Sequence, residues 1–241
     1  MIHVSIVHIS PALSQAEYEL LLTFVSEEKR SRARRFRFAA DAHNTLVGDI
    51  LARIEICKAK GIDNNDICFL LNEYGKPYLA GSYDIHFNIS HTGRYVACVV
   101  SCEPVGIDIE LIKPIDLKIA ERFFTKDEAL YVFGNQIAEG TPDGNQIAEG
   151  TPDGDQSIAR FFEVWTKKES RLKWEGKGFS KPLPSFSVFS PKELEMLNYY
   201  KVFDICGTVC HVCSALKEPP VVVILNTAEL MRQAKTWLLS K

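Results

Sequence analysis

Val105-Gly106-Ile107-Asp108-Ile109-Glu110 alternates apolar residues with a glycine and two acids near the middle of a 241-residue chain. A period of two is that of an extended strand, where residues two apart share a face. Ile107 and Ile109 are thus expected to enter a core while Asp108 and Glu110 point together to the other side. Two carboxylates side by side suit a divalent cation, and the same pattern equally describes a half-buried strand with an acidic outer face. The segment alone leaves both readings open.

Toward the amino terminus the patterns alternate between helix and strand. Residues 1–9 read as a first strand, with neither a basic segment nor a small-residue cleavage site to suggest a leader. Ser14 and Glu17 fit a capping box, which predicts a helix over 14–24. Leu46, Val47, Ile50, Leu51, Ile54 and Ile56 recur at near-helical spacing, which predicts a longer helix over 41–60 that stops at Gly61. Between the two lies a basic cluster, Lys29, Arg30, Arg32, Arg34, Arg35 and Arg37. Short strands are expected at 67–71, 85–89 and 95–101, with a turn at 72–77.

Beyond the acidic strand the theme repeats. Helices are expected near 115–124, 125–131 and 158–174, strands near 185–189, 199–205, 209–215 and 221–225, and a covering helix over 227–239. The fold class is α+β, built as two similar halves, 1–104 and 105–241, joined near 103–107. One stretch is unlike the rest. Residues 134–143, Gly-Asn-Gln-Ile-Ala-Glu-Gly-Thr-Pro-Asp, are repeated without change at 144–153, and so polar a tandem copy is expected to be a mobile surface loop, dispensable for chemistry.

With 46% hydrophobic residues and a net charge of −3, the chain is expected to be globular and cytoplasmic, and no apolar run is long enough for a membrane span. Its seven cysteines suggest free, buried thiols and no secretory framework. Cys206, Cys210, His211 and Cys213 raise the question of a metal, but they sit in a strand-like stretch whose alternation would not present 210, 211 and 213 on one face.

The second chemistry-bearing stretch is Phe162-Glu163-Val164-Trp165-Thr166-Lys167-Lys168-Glu169-Ser170-Arg171-Leu172-Lys173-Trp174. On a helix, Trp165, Glu169 and Leu172 or Lys173 fall on neighbouring ridges. Glu169 and Lys173 are also an ordinary i,i+4 pair of a surface helix, worth only about 0.3 kcal/mol. Taken with the acidic strand, the motif supplies what phosphate chemistry needs: carboxylates for a hard cation and ammonium groups for the remaining negative charge. Neither glycine-rich nucleotide-binding loop, Gly-x-x-x-x-Gly-Lys-Ser/Thr or Gly-x-Gly-x-x-Gly after a strand, is present, which argues against ordinary ATPases and dinucleotide oxidoreductases.

Five stretches occur in order: residues 29–46, Glu73-Tyr74-Gly75-Lys76-Pro77, Phe87-Asn88-Ile89-Ser90-His91-Thr92-Gly93, Gly106-Ile107-Asp108-Ile109-Glu110 with Arg122-Phe123-Phe124, and Trp165-Thr166-Lys167-Lys168-Glu169-Ser170. In that order they resemble the 4'-phosphopantetheinyl transferases of the surfactin-synthetase-activating type. The resemblance runs from near the amino terminus to at least residue 189 and lapses over 134–156. It implies a monomer of two α+β halves related by a pseudo-two-fold axis, with coenzyme A in the cleft between them. It also implies a reaction in which coenzyme A gives its 4'-phosphopantetheine arm to a serine of an acyl or peptidyl carrier protein, releasing adenosine 3',5'-bisphosphate.

Carried over residue by residue, the resemblance makes Asp108, Glu110 and Glu169 the ligands of Mg²⁺, with Glu169 also a candidate base for the carrier serine. It puts Lys173, and less directly Lys168, beside the pyrophosphate. Lys29 and Arg32 would meet the 3'-phosphate, arginine standing at 32 where a lysine is familiar. Lys76, Ser90 and His91 would complete the nucleotide pocket, with Thr45 near the adenine, although His91 could equally order its own turn. Phe124 is a candidate for carrier contact and equally a core residue. Two other functions fit parts of the chain: a nucleic-acid binder using residues 29–37, disfavoured by the net acidic charge, and a metal-dependent phosphohydrolase of small nucleotides.

Overall fold

The computed structural model describes residues 1–81, 83–134, 154–178 and 181–239. The first half contains β1 (Ile2–His8), α1 (Gln15–Leu22), α2 (Glu27–Ala33), α3 (Ala39–Lys60), the small hairpin β2 (Phe69–Leu71) and β3 (Pro77–Leu79), then β4 (His86–Thr92) and β5 (Tyr95–Ser101). The second contains β6 (Val105–Leu111), α4 (Lys118–Phe123), α5 (Lys126–Phe133), α6 (Gly154–Glu175), α7 (Pro191–Met196), β7 (Asn198–Ile205) and β8 (Thr208–Ser214). β9 (Val221–Asn226) and α8 (Thr227–Leu238) close the chain. The tandem repeat falls, but for Gly134, outside the described residues.

The two halves repeat one topology. β1 pairs antiparallel with β5, the second strand of the hairpin β4–β5, and β6 pairs antiparallel with β8, the second strand of the hairpin β7–β8. Each sheet carries a 22-residue helix on one face, α3 on the first and α6 on the second. The inner faces meet: Ile2, Val4, Ile6, Ala97 and Val99 of the first sheet form one apolar cluster with Val105, Ile107, Ile109, Cys210 and Val212 of the second. The layers are therefore helix, sheet, sheet, helix, and the α+β class expected from the pattern holds.

Where the structure departs from the sequence reading, a physical cause is visible. β9 and α8 were expected to complete the second half; instead β9 runs parallel to β1 as the edge strand of the first sheet, and α8 packs on α3. Strand propensity at 221–225 identified the element but carried no information about its partner. Residues 185–189 form no strand. The buried Phe186 and Val188 alternate as a strand would, but the Val188 N–H donates to Glu128 Oε1 at 2.8 Å, and Leu183–Ser185 is a 3₁₀ turn. Helix α2 sits within the basic cluster, where no apolar stripe announced it; Ser26 caps it, and Glu27 and Glu28 favour its positive end. All seven cysteines are free; Cys57, Cys98, Cys210 and Cys213 are buried and Cys68, Cys102 and Cys206 exposed. Among the described residues no helix is long and apolar enough to cross a membrane.

Candidate active site

The acidic strand forms where the two sheets meet. β6 pairs with β8 along one edge, and its other edge is met by side chains of β4. Asn88, Ser90 and Thr92 alternate along β4 and accept, in turn, the N–H groups of Ile107 at 3.0 Å, Ile109 at 3.3 Å and Leu111 at 3.2 Å. An unpaired strand edge is thereby satisfied by side chains and does not need another strand. The consequence is a fixed register between the halves: Ser90 Oγ donates to Asp108 Oδ1 at 3.0 Å, and Thr92 Oγ1 lies 3.5 Å from Glu110 Oε2.

α6 brings the remaining groups. Gly106 permits the approach, because a Cβ there would lie 2.0 Å from the Ser170 carbonyl oxygen and 2.4 Å from the Trp174 nitrogen. With the helix backbone against the strand, Lys173 Nζ reaches Asp108 Oδ1 at 2.6 Å and Ser90 Oγ at 2.9 Å. Glu169, one turn earlier, faces the same acids: burial and the Asp108 charge raise its pKa, while Lys173 lowers it. Burial, then the charge of Asp108, push Glu110 up to about 7, against relief from Lys173 and Lys113. Three mutually repelling carboxylates are thus offset by the ammonium of Lys173, which pairs with Asp108, and at Glu110 by Lys113 as well.

That surplus of negative charge is the site's main chemical property. Asp108 Oδ2 and Glu169 Oε1 are buried with no hydrogen-bond partner, a costly state for a carboxylate oxygen. Among the described residues, no three His, Cys, Asp or Glu side chains stand close enough to form a ready-made metal cluster, and the Lys173 ammonium lies on Asp108. The donor set nevertheless fits a hard cation: it is all carboxylate oxygen, under-neutralised, with two oxygens free to turn toward an ion.

The other anticipated residues divide into those that face this centre and those that do not. His91 stands near the end of β4; burial of its ring, then the charge of Lys173, lower its pKa against the opposing charge of Asp41. Lys29 lies 3.4 Å from Asp49, itself held by Arg53 at 2.7 Å. Arg32 is exposed on α2 and Thr45 half-buried on α3. Lys76, the lysine of the turn at 72–77, does not end in open space: its Nζ donates to the carbonyls of Lys173 at 2.6 Å, Val105 at 3.2 Å and Trp174 at 3.4 Å.

Lys168 does not belong with them. It is wholly buried on the opposite face of α6, ion-paired with Glu128 at 2.7 Å and donating to the carbonyls of Leu183 and Phe186. Adjacent positions on a helix point about 100° apart, so Lys168 and Glu169 do not both face Asp108. Phe124 is likewise a core residue, its ring tilted against Phe161, and Trp165 packs between Phe161 and Phe123. His211, opposite Asp108 on β8, is buried, and desolvation takes its pKa down to about 3. It bonds Thr166 Oγ1 at 2.8 Å and, among the described residues, joins no metal cluster with the cysteines. Asn88, Thr92 and Gly106 were not singled out from sequence; the period-two run Asn88-x-Ser90-x-Thr92, matching Gly106-x-Asp108-x-Glu110, was the available signal.

Comparison with known families covers both halves. Residues 11–103 match the family described as 4'-phosphopantetheinyl transferase, N-terminal, and residues 104–218 match the 4'-phosphopantetheinyl transferase superfamily. The chain is 44% identical over 182 residues to 4'-phosphopantetheinyl transferase Sfp of Bacillus subtilis, covering 76% of this chain and 74% of that protein. It is 34% identical over 223 residues to 4'-phosphopantetheinyl transferase gsp of Aneurinibacillus migulanus, covering 89% and 86%. A more distant relative, 4'-phosphopantetheinyl transferase HetI of Nostoc sp., is 29% identical over 177 residues, covering 70% and 68%.

Proposed function

The chain belongs to the 4'-phosphopantetheinyl transferase superfamily, and from that premise we propose that it moves the 4'-phosphopantetheine arm of coenzyme A to a serine of an apo acyl or peptidyl carrier protein, leaving adenosine 3',5'-bisphosphate. The single observation that carries the site assignment is the under-neutralised carboxylate group of Asp108, Glu110 and Glu169 around the Lys173 ammonium. These three acids would hold Mg²⁺. When bound, the ion would offset the charge of the pyrophosphate oxygens.

The chain's own residues account for the rest. Lys173, with Ser90 and His91 beside it, would receive the pyrophosphate and stabilise charge on the departing bisphosphate. Lys29 and Arg32 would take the 3'-phosphate, with Thr45 toward the adenine. Arginine's planar fork suits two-point contact with a phosphate. Glu169 would accept the serine proton as the serine oxygen forms its bond to the phosphorus nearer the pantetheine, and the bond from that phosphorus to the bridging oxygen breaks. Its raised pKa and free Oε1 support that role. The free thiols fit a reducing cytoplasm, and the duplicated fold fits a monomer that brings both halves of the cleft in one chain.

Intact-mass analysis tests the reaction. With coenzyme A, Mg²⁺ and an apo carrier domain, the carrier should gain about 340 Da, one arm on one serine. Turnover of coenzyme A with no gain in carrier mass would instead identify a phosphohydrolase. Asp108→Ala and Glu169→Ala should each lower the transfer rate at least about 100-fold, the scale of losing a principal electrostatic element of a transition state. A near-normal rate from either would remove that residue from the site.

A further inference from the structure

The turn between β2 and β3 bonds to the end of α6. Asn72 and Lys76, four residues apart, both reach across to the last turn of α6, in the other half of the molecule. Asn72 Nδ2 donates to the Gly176 carbonyl at 2.8 Å, and Lys76 Nζ to those of Lys173 and Trp174. The last carbonyls of a helix have no partner within it. Here they are capped by side chains from outside, at the negative end of the helix, where a cation is favoured. The fit is close: a Cβ on Gly176, which ends α6 at φ +71°, would lie 3.0 Å from Lys76 Cδ.

The same ammonium also donates to Val105, next to Gly106. Lys76 therefore fastens the end of α6 to the start of β6 at the point where strand and helix are in backbone contact. Asn72 Oδ1 shapes the turn that delivers it, accepting the N–H groups of Tyr74 at 2.9 Å and Lys76 at 2.8 Å. Lys173, whose own carbonyl is in the clamp, is the residue that reaches Asp108 and Ser90. We infer that Lys76 is a positioning residue, which together with Asn72 fixes the end of α6 and so the reach of Lys173, and is not a ligand of the coenzyme's phosphates. Enclosure of the ammonium is consistent with this, since burial lowers its pKa to about 8. The kinetic part of the inference rests on the transferase reading; the mechanical part does not.

Two variants and two readouts test it. Lys76→Met keeps the aliphatic stem and removes the donors, while Asn72→Asp keeps the turn acceptor and removes the bond to Gly176. Amide hydrogen exchange at 173–176, measured without coenzyme or carrier, should quicken at least about tenfold in both. In the transfer assay kcat should fall about tenfold with KM for coenzyme A within about twofold, the signature of lost transition-state alignment. A tenfold rise in KM with kcat kept would make Lys76 a coenzyme ligand and overturn the inference. Unchanged exchange in Lys76→Met would also overturn it, and that result stands whether or not the wild-type protein modifies a carrier.

Discussion

Gly106 decides how the acidic strand becomes a site. Its missing side chain is filled by the backbone of α6, and that contact puts Lys173 within 2.6 Å of Asp108. Gly106→Ala would drive a methyl group into a carbonyl oxygen 2.0 Å away, on a helix that cannot retreat without opening the core behind it. Overpacking of this kind costs about 3 kcal/mol, which urea denaturation should register, with loss of transfer activity in the fraction that remains folded. A stability unchanged from wild type would mean that α6 has room to move. At this scale the sequence was legible in part: the period-two acids were visible in Asp108 and Glu110, but the glycine between Val105 and Ile107 had no role assigned to it. What it accommodates is a helix some 60 residues further on, a contact absent from local pattern.

Elements were more readily legible than their partners. The long helices α3 and α6 and the strands β5 to β9 follow from periodicity, because burial of one face or alternate residues is a local property. Whether Phe186 and Val188 lie in a strand depends instead on where their N–H groups go, and the Val188 N–H goes to Glu128. Lys168 shows the same limit: its neighbours in sequence suggest a phosphate ligand, and its place on α6 buries it against Glu128. The join between α6 and β8 gives a pH prediction. His211 is held neutral there, its pKa at about 3 by desolvation, with Thr166 as partner. Because that value lies below the ordinary 6.5, an unfolded chain takes up a proton that the folded one refuses, so this group lowers stability as pH falls from 6.5 toward 3. The slope is about 1.4 kcal/mol per pH unit, or about 2 kcal/mol by pH 5. His211→Asn should therefore lose less stability than wild type between pH 7 and pH 5 in chemical denaturation. Equal losses would remove His211 as the cause.

At the scale of the whole molecule, the duplicated topology suggests two separable halves, and the chain's return to its beginning argues otherwise. β9 supplies an edge partner to β1 along six positions, and Leu230, Met231, Ala234 and Leu238 of α8 lie in the apolar cluster around α3. The inner face of each sheet is covered by the other, and the β4 side chains satisfy β6. The halves are therefore joined by contacts that neither can replace alone, which makes one cooperative unit the physical expectation. Fluorescence can decide this, because Trp165 and Trp174 lie on α6 in the second half and Trp237 lies on α8. In a Trp237→Phe background the signal reports the second half alone. Leu230→Ala, at a fully buried position of the first-half core, should then cost about 3 kcal/mol. If folding is cooperative, the fluorescence transition of α6 moves to lower urea together with the circular dichroism transition and by the same amount. A fluorescence midpoint that stays at its Trp237→Phe value while the circular dichroism transition splits would show that the halves fold separately, and the register of β4 on β6 would then form only after both.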